Sequence, residues 1–207
     1  MFKNLSQKLK TILLYVTLGL VIVAVCVASA LYAIHLQNRA PADDGLLKQT
    51  LSAHDYTATI FTPFEMQEDL AFNVEPEILY YVKTSRAFYG YDEDLSLHIY
   101  SVTYKTELFD DSWGPNIENM ADVSIKTLKK NKLFRNLESE KKYIKIGNAE
   151  AIEVVSVYRK GADNMVQRVL HVPMRTCTWS FKATFKDNSK NSRAVTKIFD
   201  SIVINSN

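Results

Sequence analysis

The chain has 207 residues, 25 Lys+Arg against 23 Asp+Glu, and two cysteines. With 47% hydrophobic residues it is not disordered throughout. A net charge of +2 with no basic stripe excludes a dedicated nucleic-acid binder, and two cysteines exclude a disulfide-rich scaffold.

Thr11–Ile34 carries no charged residue and is apolar on all sides. At about 1.5 Å per residue such a run is long enough for a hydrocarbon core of about 30 Å. The expectation is a transmembrane signal anchor over residues 11–36, with residues 1–10 as a cytoplasmic basic segment. Lys3, Lys8 and Lys10 precede the run, whereas His35, Arg39, Asp43 and Asp44 follow it. The excess of lysine before the run keeps the N-terminus in the cytoplasm and sends the remainder to the periplasm or cell exterior. This makes a single-pass protein of the cytoplasmic (inner) membrane. Ala28-Ser29-Ala30 fits a signal-peptidase site, but the apolar run preceding it is longer than a usual signal core. Cys26 follows Val25 rather than Gly, Ala or Ser, which argues against lipidation.

Residues 37–55 are polar, contain Pro41 and Gly45, and read as a juxtamembrane linker with one helical turn at Leu46–Leu51. Residues 56–207 are expected to form one extracytoplasmic domain. Ala58–Phe64, broken by Pro63, suits a first or edge strand. Ile78–Tyr89 and Leu95–Tyr104 are β-branched and aromatic, and the turn Gly90–Asp94 joins them as a hairpin. Over Asn116–Lys132 the period becomes helical, with Ile117, Met120, Ala121, Ser124 and Leu128 on one face and lysines near the end. Strands resume at Lys142–Ile146, Glu150–Arg159, Met165–Val172 and Thr176–Phe185. The last alternates Cys177, Trp179, Phe181, Ala183 and Phe185 with polar residues. A C-terminal helix follows at Ser192–Ser201, and Ile202–Ile204 suits a short strand. The fold class is α+β: a mainly antiparallel sheet of about six or seven strands flanked by two amphipathic helices, behind one N-terminal transmembrane helix.

Thr62-Pro63-Phe64, Thr178-Trp179-Ser180-Phe181 and Lys197-Ile198-Phe199-Asp200-Ser201-Ile202, in this order of elements, resemble the Mog1/PsbP-like superfamily across residues 56–204. The resemblance implies a central antiparallel sheet sandwiched by helices. It also implies a mostly non-enzymatic role in partner binding or assembly. No motif specific enough to transfer a binding residue accompanies it.

The residues themselves offer little catalytic chemistry. His35, His54, His98 and His171 have no second His or Cys at ligand spacing, and no metal or cofactor is expected. His98 and His171 fall in strands and could meet across the sheet. Asp92-Glu93-Asp94 and Asp110-Asp111 read as solvated turns. Gly-x-Ser-x-Gly and phosphate-loop patterns are missing, and Cys177 reads as a core thiol. Glu138, Glu140, Glu150 and Glu153 form no recognisable catalytic pair.

Aromatics are plentiful instead: Tyr80, Tyr81, Tyr89, Tyr91, Tyr100 and Tyr104 crowd the first hairpin, and Trp113 lies in the loop before the long helix. Strand alternation must turn some of these away from the core. Tyr89, Tyr91, Tyr100 and Trp113 are therefore the candidate partner-binding surface. The resulting expectation is a membrane-anchored, non-enzymatic binding or assembly domain of an envelope complex, with an envelope protein as partner and no nucleic acid. The competing readings are a metal-assisted hydrolase using Asp92, Asp94 and His98, and a small-ligand sensor.

Overall fold

The computed structural model describes residues 45–109 and 114–206. The apolar run at Thr11–Ile34, the acidic pair Asp110-Asp111 and Trp113 lie outside the described residues. Among those described, no helix is long and apolar enough to cross a membrane. Gly45–Asn207 forms a compact unit.

The large sheet has seven antiparallel strands. In chain order they are β3 (Gln67–Glu68), β4 (Val82–Tyr91), β5 (Leu95–Tyr104), β6 (Phe134–Ile146), β7 (Ala149–Lys160), β8 (Asp163–Pro173) and β9 (Cys177–Lys186). Their spatial order is β3-β4-β5-β9-β8-β7-β6. Helix α2 (Ile117–Lys130) separates β5 from β6, the strand at the far edge. The meander β6-β7-β8-β9 then returns strand by strand, until Leu95–Thr103 pairs with Cys177–Phe185. The alternation read in the sequence is realised here: β5 buries Leu95, Leu97 and Ile99, and β9 buries Cys177, Trp179, Phe181, Ala183 and Phe185.

A second sheet, which the sequence reading did not separate from the first, has three antiparallel strands in the order β1-β2-β10: β1 (Leu47–Ala53), β2 (Tyr56–Thr62) and β10 (Val203–Ser206). With helix α3 (Ser189–Asp200) it closes the main core. Leu51, Ala53, Ala58, Ile60, Val195, Ile198 and Phe199 pack there with Leu97, Ile99, Trp179 and Phe181. Burying these side chains is the dominant stabilising term, at about 1.5–3 kcal/mol for each large one. On the opposite face α2 covers only part of the sheet, and Ala121 packs with Ile152, Val154 and Val169.

Both long helices are capped by asparagine. Asn116 Oδ1 accepts from Asn119 N at 2.9 Å, and Asn188 Oδ1 accepts from Asn191 N at 2.8 Å. The C-terminal helix thus starts at Ser189, ahead of the Ser192 expected from the sequence. Above the core side, Arg168 Nε donates to Glu153 Oε1 at 2.5 Å and its Nη1 donates to Thr196 Oγ1 at 2.8 Å, which joins β7, β8 and α3.

Four readings need correction. Ala58–Phe64 is neither the first strand nor an edge strand: β2 is the middle strand of the small sheet, and it ends at Thr62, before Pro63, so the proline removes no ladder hydrogen bond. Leu46–Leu51 is not a helical turn in a linker: Leu47–Ala53 is strand β1, whose inward residues are Leu51 and Ala53. Leu47 and Leu51 share a spacing that suits a helix, and the pairing with β2 decides otherwise. Ile78–Tyr81 does not belong to the hairpin. Pro76 starts a single helical turn, α1 (Pro76–Leu79), and β4 begins only at Val82. Strand β6 begins at Phe134 rather than near Lys142. As an edge strand it is charged along much of its length, so its hydrophobic pattern is faint, and a register shift between Arg135 and Glu138 interrupts it further.

Candidate functional site

Strand register determines what the α2 face of the large sheet displays. Tyr89 stands opposite His98, and His98 opposite Lys182. In the next row Ala87 stands opposite Tyr100, Tyr100 opposite Ser180, and Ser180 opposite His171. Tyr91 stands opposite Ser96, one row the other way. Period-two alternation therefore brings Tyr89, Tyr91 and Tyr100 to one face, on the part of the sheet that α2 leaves open. Trp113, the fourth residue singled out by sequence, lies outside the described residues.

The rings interact in series. Tyr89 and His98 have centroids 6.5 Å apart, and His98 and Tyr100 are 6.3 Å apart, both stacked. Phe72, from the segment between β3 and β4, packs on Tyr100 at 5.2 Å. Lys182 Nζ lies 5.3 Å from the Tyr100 ring centroid, within cation–π reach. Tyr89 Oη donates to Gln67 Oε1 at 3.0 Å, whereas Tyr91 is 69% exposed. His98 is held below its ordinary pKa, mainly by burial and then by the Lys182 charge, with Asp69 opposing.

Between this row and α2 lies a cleft of about 430 Å³, within the size range of small-molecule sites. Tyr100, Gln167, Val169, His171, Ser180 and Lys182 line it from the sheet. Val123, Ser124, Thr127 and Leu128 line it from α2, and Phe72 and Glu75 from the opposite wall. His171 is 4% exposed, and burial pushes its pKa down to about 4, so the ring is neutral at physiological pH. Nδ1 lies 2.9 Å from Ser180 Oγ and Nε2 lies 3.0 Å from Ser124 Oγ. A Ser-His-Ser chain has the connectivity of a nucleophile, a base and an orienting group. Ser124, however, sits within α2, where backbone N–H groups serve the helix rather than a developing oxyanion. Its evident effect is to tie α2 to the sheet.

His98 and His171 share a face but do not meet, because β9 runs between them. Asp92 and Asp94 are not drawn towards His98 either. Asp92 Oδ1 accepts from Asp94 N at 3.0 Å and Leu95 N at 2.8 Å, which closes the turn, and Asp94 pairs with Lys186 at 2.9 Å. Among the described residues no group of three or more His, Cys, Asp or Glu is placed to hold a metal. Sequence reasoning missed Phe72, Ser124, Gln167 and Lys182 as neighbours of this site. Only Lys182 carried a signal, as a cation set between the hydroxyl residues Ser180 and Thr184 on the polar side of its strand.

No family model matches the chain, and no curated protein matches it. Among solved structures it is similar to PA94, a protein of unknown function from Pseudomonas aeruginosa. The identity is 11% and the TM-score 0.40, over 75% of this chain and 96% of that one. It is also similar to LpqN of Mycobacterium tuberculosis, involved in cell envelope biogenesis. There the identity is 10% and the TM-score 0.38, over 79% of this chain and 80% of that one. Neither likeness establishes the Mog1/PsbP-like family.

Proposed function

We propose that this chain is a membrane-tethered, non-enzymatic binding or assembly domain of the bacterial cell envelope, held by residues 11–36 with its α+β domain on the periplasmic or outer side. The carrying observation is the row of aromatic side chains on the sheet face beside α2, where Tyr91 is largely exposed and Tyr89 and Tyr100 stand half-buried around His98. Rigid rings with few rotatable bonds form contacts at low entropic cost, and such residues dominate binding surfaces. A membrane tether raises the effective concentration of the domain beside an envelope partner. Tyr89, Tyr91, Tyr100 and Trp113 are the residues assigned to the contact.

The test is in-cell crosslinking of the full-length chain in its native membrane, followed by mass spectrometry. A partner captured by wild type should be captured several-fold less by Tyr91→Ala and Trp113→Ala, with unchanged melting temperatures. Equal capture by both variants overturns the surface assignment.

A further inference from the structure

The cleft beside Tyr100 has a chemical character of its own. Lys182 is half-buried at its floor, and among the described residues its ammonium forms no ion pair. Gln167, another lining residue, accepts from Thr184 Oγ1 through its carbonyl oxygen at 3.5 Å, so that contact does not use its amide N–H groups. The Lys182 ammonium is the one formal positive charge among the lining residues. The one carboxylate among the lining residues is Glu75, exposed on the opposite wall. The apolar part of the lining is Phe72 on one side, Val123 and Leu128 on the other, and Val169 below, while Ser124 and Thr127 add hydroxyls from α2. Val123 is 48% exposed, an apolar side chain of α2 left open at the cleft. A half-buried ammonium that rests on the Tyr100 ring, beside apolar side chains, suits a molecule with one anionic end and one hydrocarbon end, because a purely polar anion leaves those side chains wet and a neutral chain leaves the ammonium without a counter-charge.

We infer that this cleft binds a single-chain organic anion, its acid group on Lys182 and Gln167 and its hydrocarbon chain between Phe72 and the Val123–Leu128 face of α2. The inference deepens the reading of the domain as a binding module and shares Tyr100 with it. It names a ligand class, carboxylate- or phosphate-headed alkyl chains, where that reading names a protein contact.

The test uses the full-length chain in its native membrane and a photoreactive diazirine derivative of octanoate, with adducts located by peptide mass spectrometry. Saturable adducts are expected within residues 69–81 or 117–130. Excess octanoate or octyl phosphate should displace them, the better competitor identifying the head group, whereas octanol and octyltrimethylammonium should not. Lys182→Gln should cut labelling roughly tenfold, the ratio for one lost charge-assisted hydrogen bond. Lys182→Arg should keep most of it, and Glu75→Gln should raise it. Circular dichroism confirms that each variant is folded. Absent or non-saturable labelling overturns the site. Labelling indifferent to Lys182→Gln, or competed equally by octanol, overturns the anion. A fall with both Lys182→Gln and Glu75→Gln also overturns it, because that pattern belongs to a zwitterion. Failure here with partner capture still dependent on Tyr91 removes the ligand and leaves the binding domain standing. Labelling with capture indifferent to Tyr91 removes the protein contact and leaves the ligand.

Discussion

Ser124 Oγ and His171 Nε2 lie 3.0 Å apart, and through that contact a helix turn is pinned to a sheet whose polar floor it only partly covers. Protonating His171 would put an uncompensated charge into a buried site between two hydroxyls. The folded-state pKa, near 4, lies below the ordinary value of 6.5. The unfolded chain therefore binds the proton first, and the neutral ring's contribution is complete above pH 6.5. It is lost as pH falls from 6.5 towards 4 and changes no further below that. Across this window the loss is about 3 kcal/mol. Urea unfolding measured at pH 7 and pH 4.5 should show this slope in wild type and a flatter one in His171→Gln.

Ser101 Oγ, Thr103 Oγ1 and Trp179 Nε1 are buried without a hydrogen-bond partner among the described residues. Thr103 is 2% exposed. Thr103→Val keeps the shape and removes an unsatisfied hydroxyl. Stability should rise by about 1 kcal/mol, read as a higher urea midpoint at unchanged m-value.

Gly90 is buried in β4 against the start of the β3 segment. A Cβ there would stand 2.6 Å from Phe64 Cδ2 and 2.9 Å from the Glu65 carbonyl oxygen. The ring can shift, but the backbone oxygen cannot do so without moving the strand edge. Gly90→Ala should cost about 1–3 kcal/mol. Gly114→Ala, where an added Cβ meets nothing within 4 Å among the described residues, is the matched control and should unfold close to wild type.

Cys177 is 0% exposed, and its thiol is pushed up to about 12, by burial first and the Asp55 charge second. The thiolate is the reactive form, so an alkylating reagent at pH 8 should leave the Cys177 peptide unmodified in the native protein and label it fully in urea. Native labelling faster than unfolding would contradict the burial.

What the sequence disclosed followed the strength of its periodicity. Strand β9 was legible because Cys177, Trp179, Phe181, Ala183 and Phe185 alternate without interruption, and α2 because Ile117, Ala121 and Leu128 recur at helical spacing. Strand β1 was hidden because only Leu51 and Ala53 of its residues are buried. The N-terminal half of β6 was hidden because an edge strand with much of its surface in water carries little apolar pattern. The site was legible to a similar degree. Alternation alone puts Tyr89 and Tyr91 on one face of β4, and Tyr100 joins them through the hairpin register, which sets Ser96 opposite Tyr91 and Tyr100 an even number of residues further along β5. Which strand stands beside Tyr100 is a matter of long-range pairing, and no local signal announces that β9 and its Lys182 arrive there rather than β6. The cleft depends on that pairing and on the path of the segment carrying Phe72.

The middle strand of the small sheet is bordered on one side by its immediate predecessor and on the other by β10, near the far end of the numbering. Phe61 N donates to Ser201 Oγ across a separation of 140 residues. One border can zip as a local hairpin, whereas the other must wait for the seven-stranded sheet and α3 to be made. The loop-closure entropy of so distant a pairing falls late in assembly, which places this domain among slow, high-contact-order folders. Until β10 docks, one edge of β2 remains unpaired, a templating hazard that a nascent chain must survive.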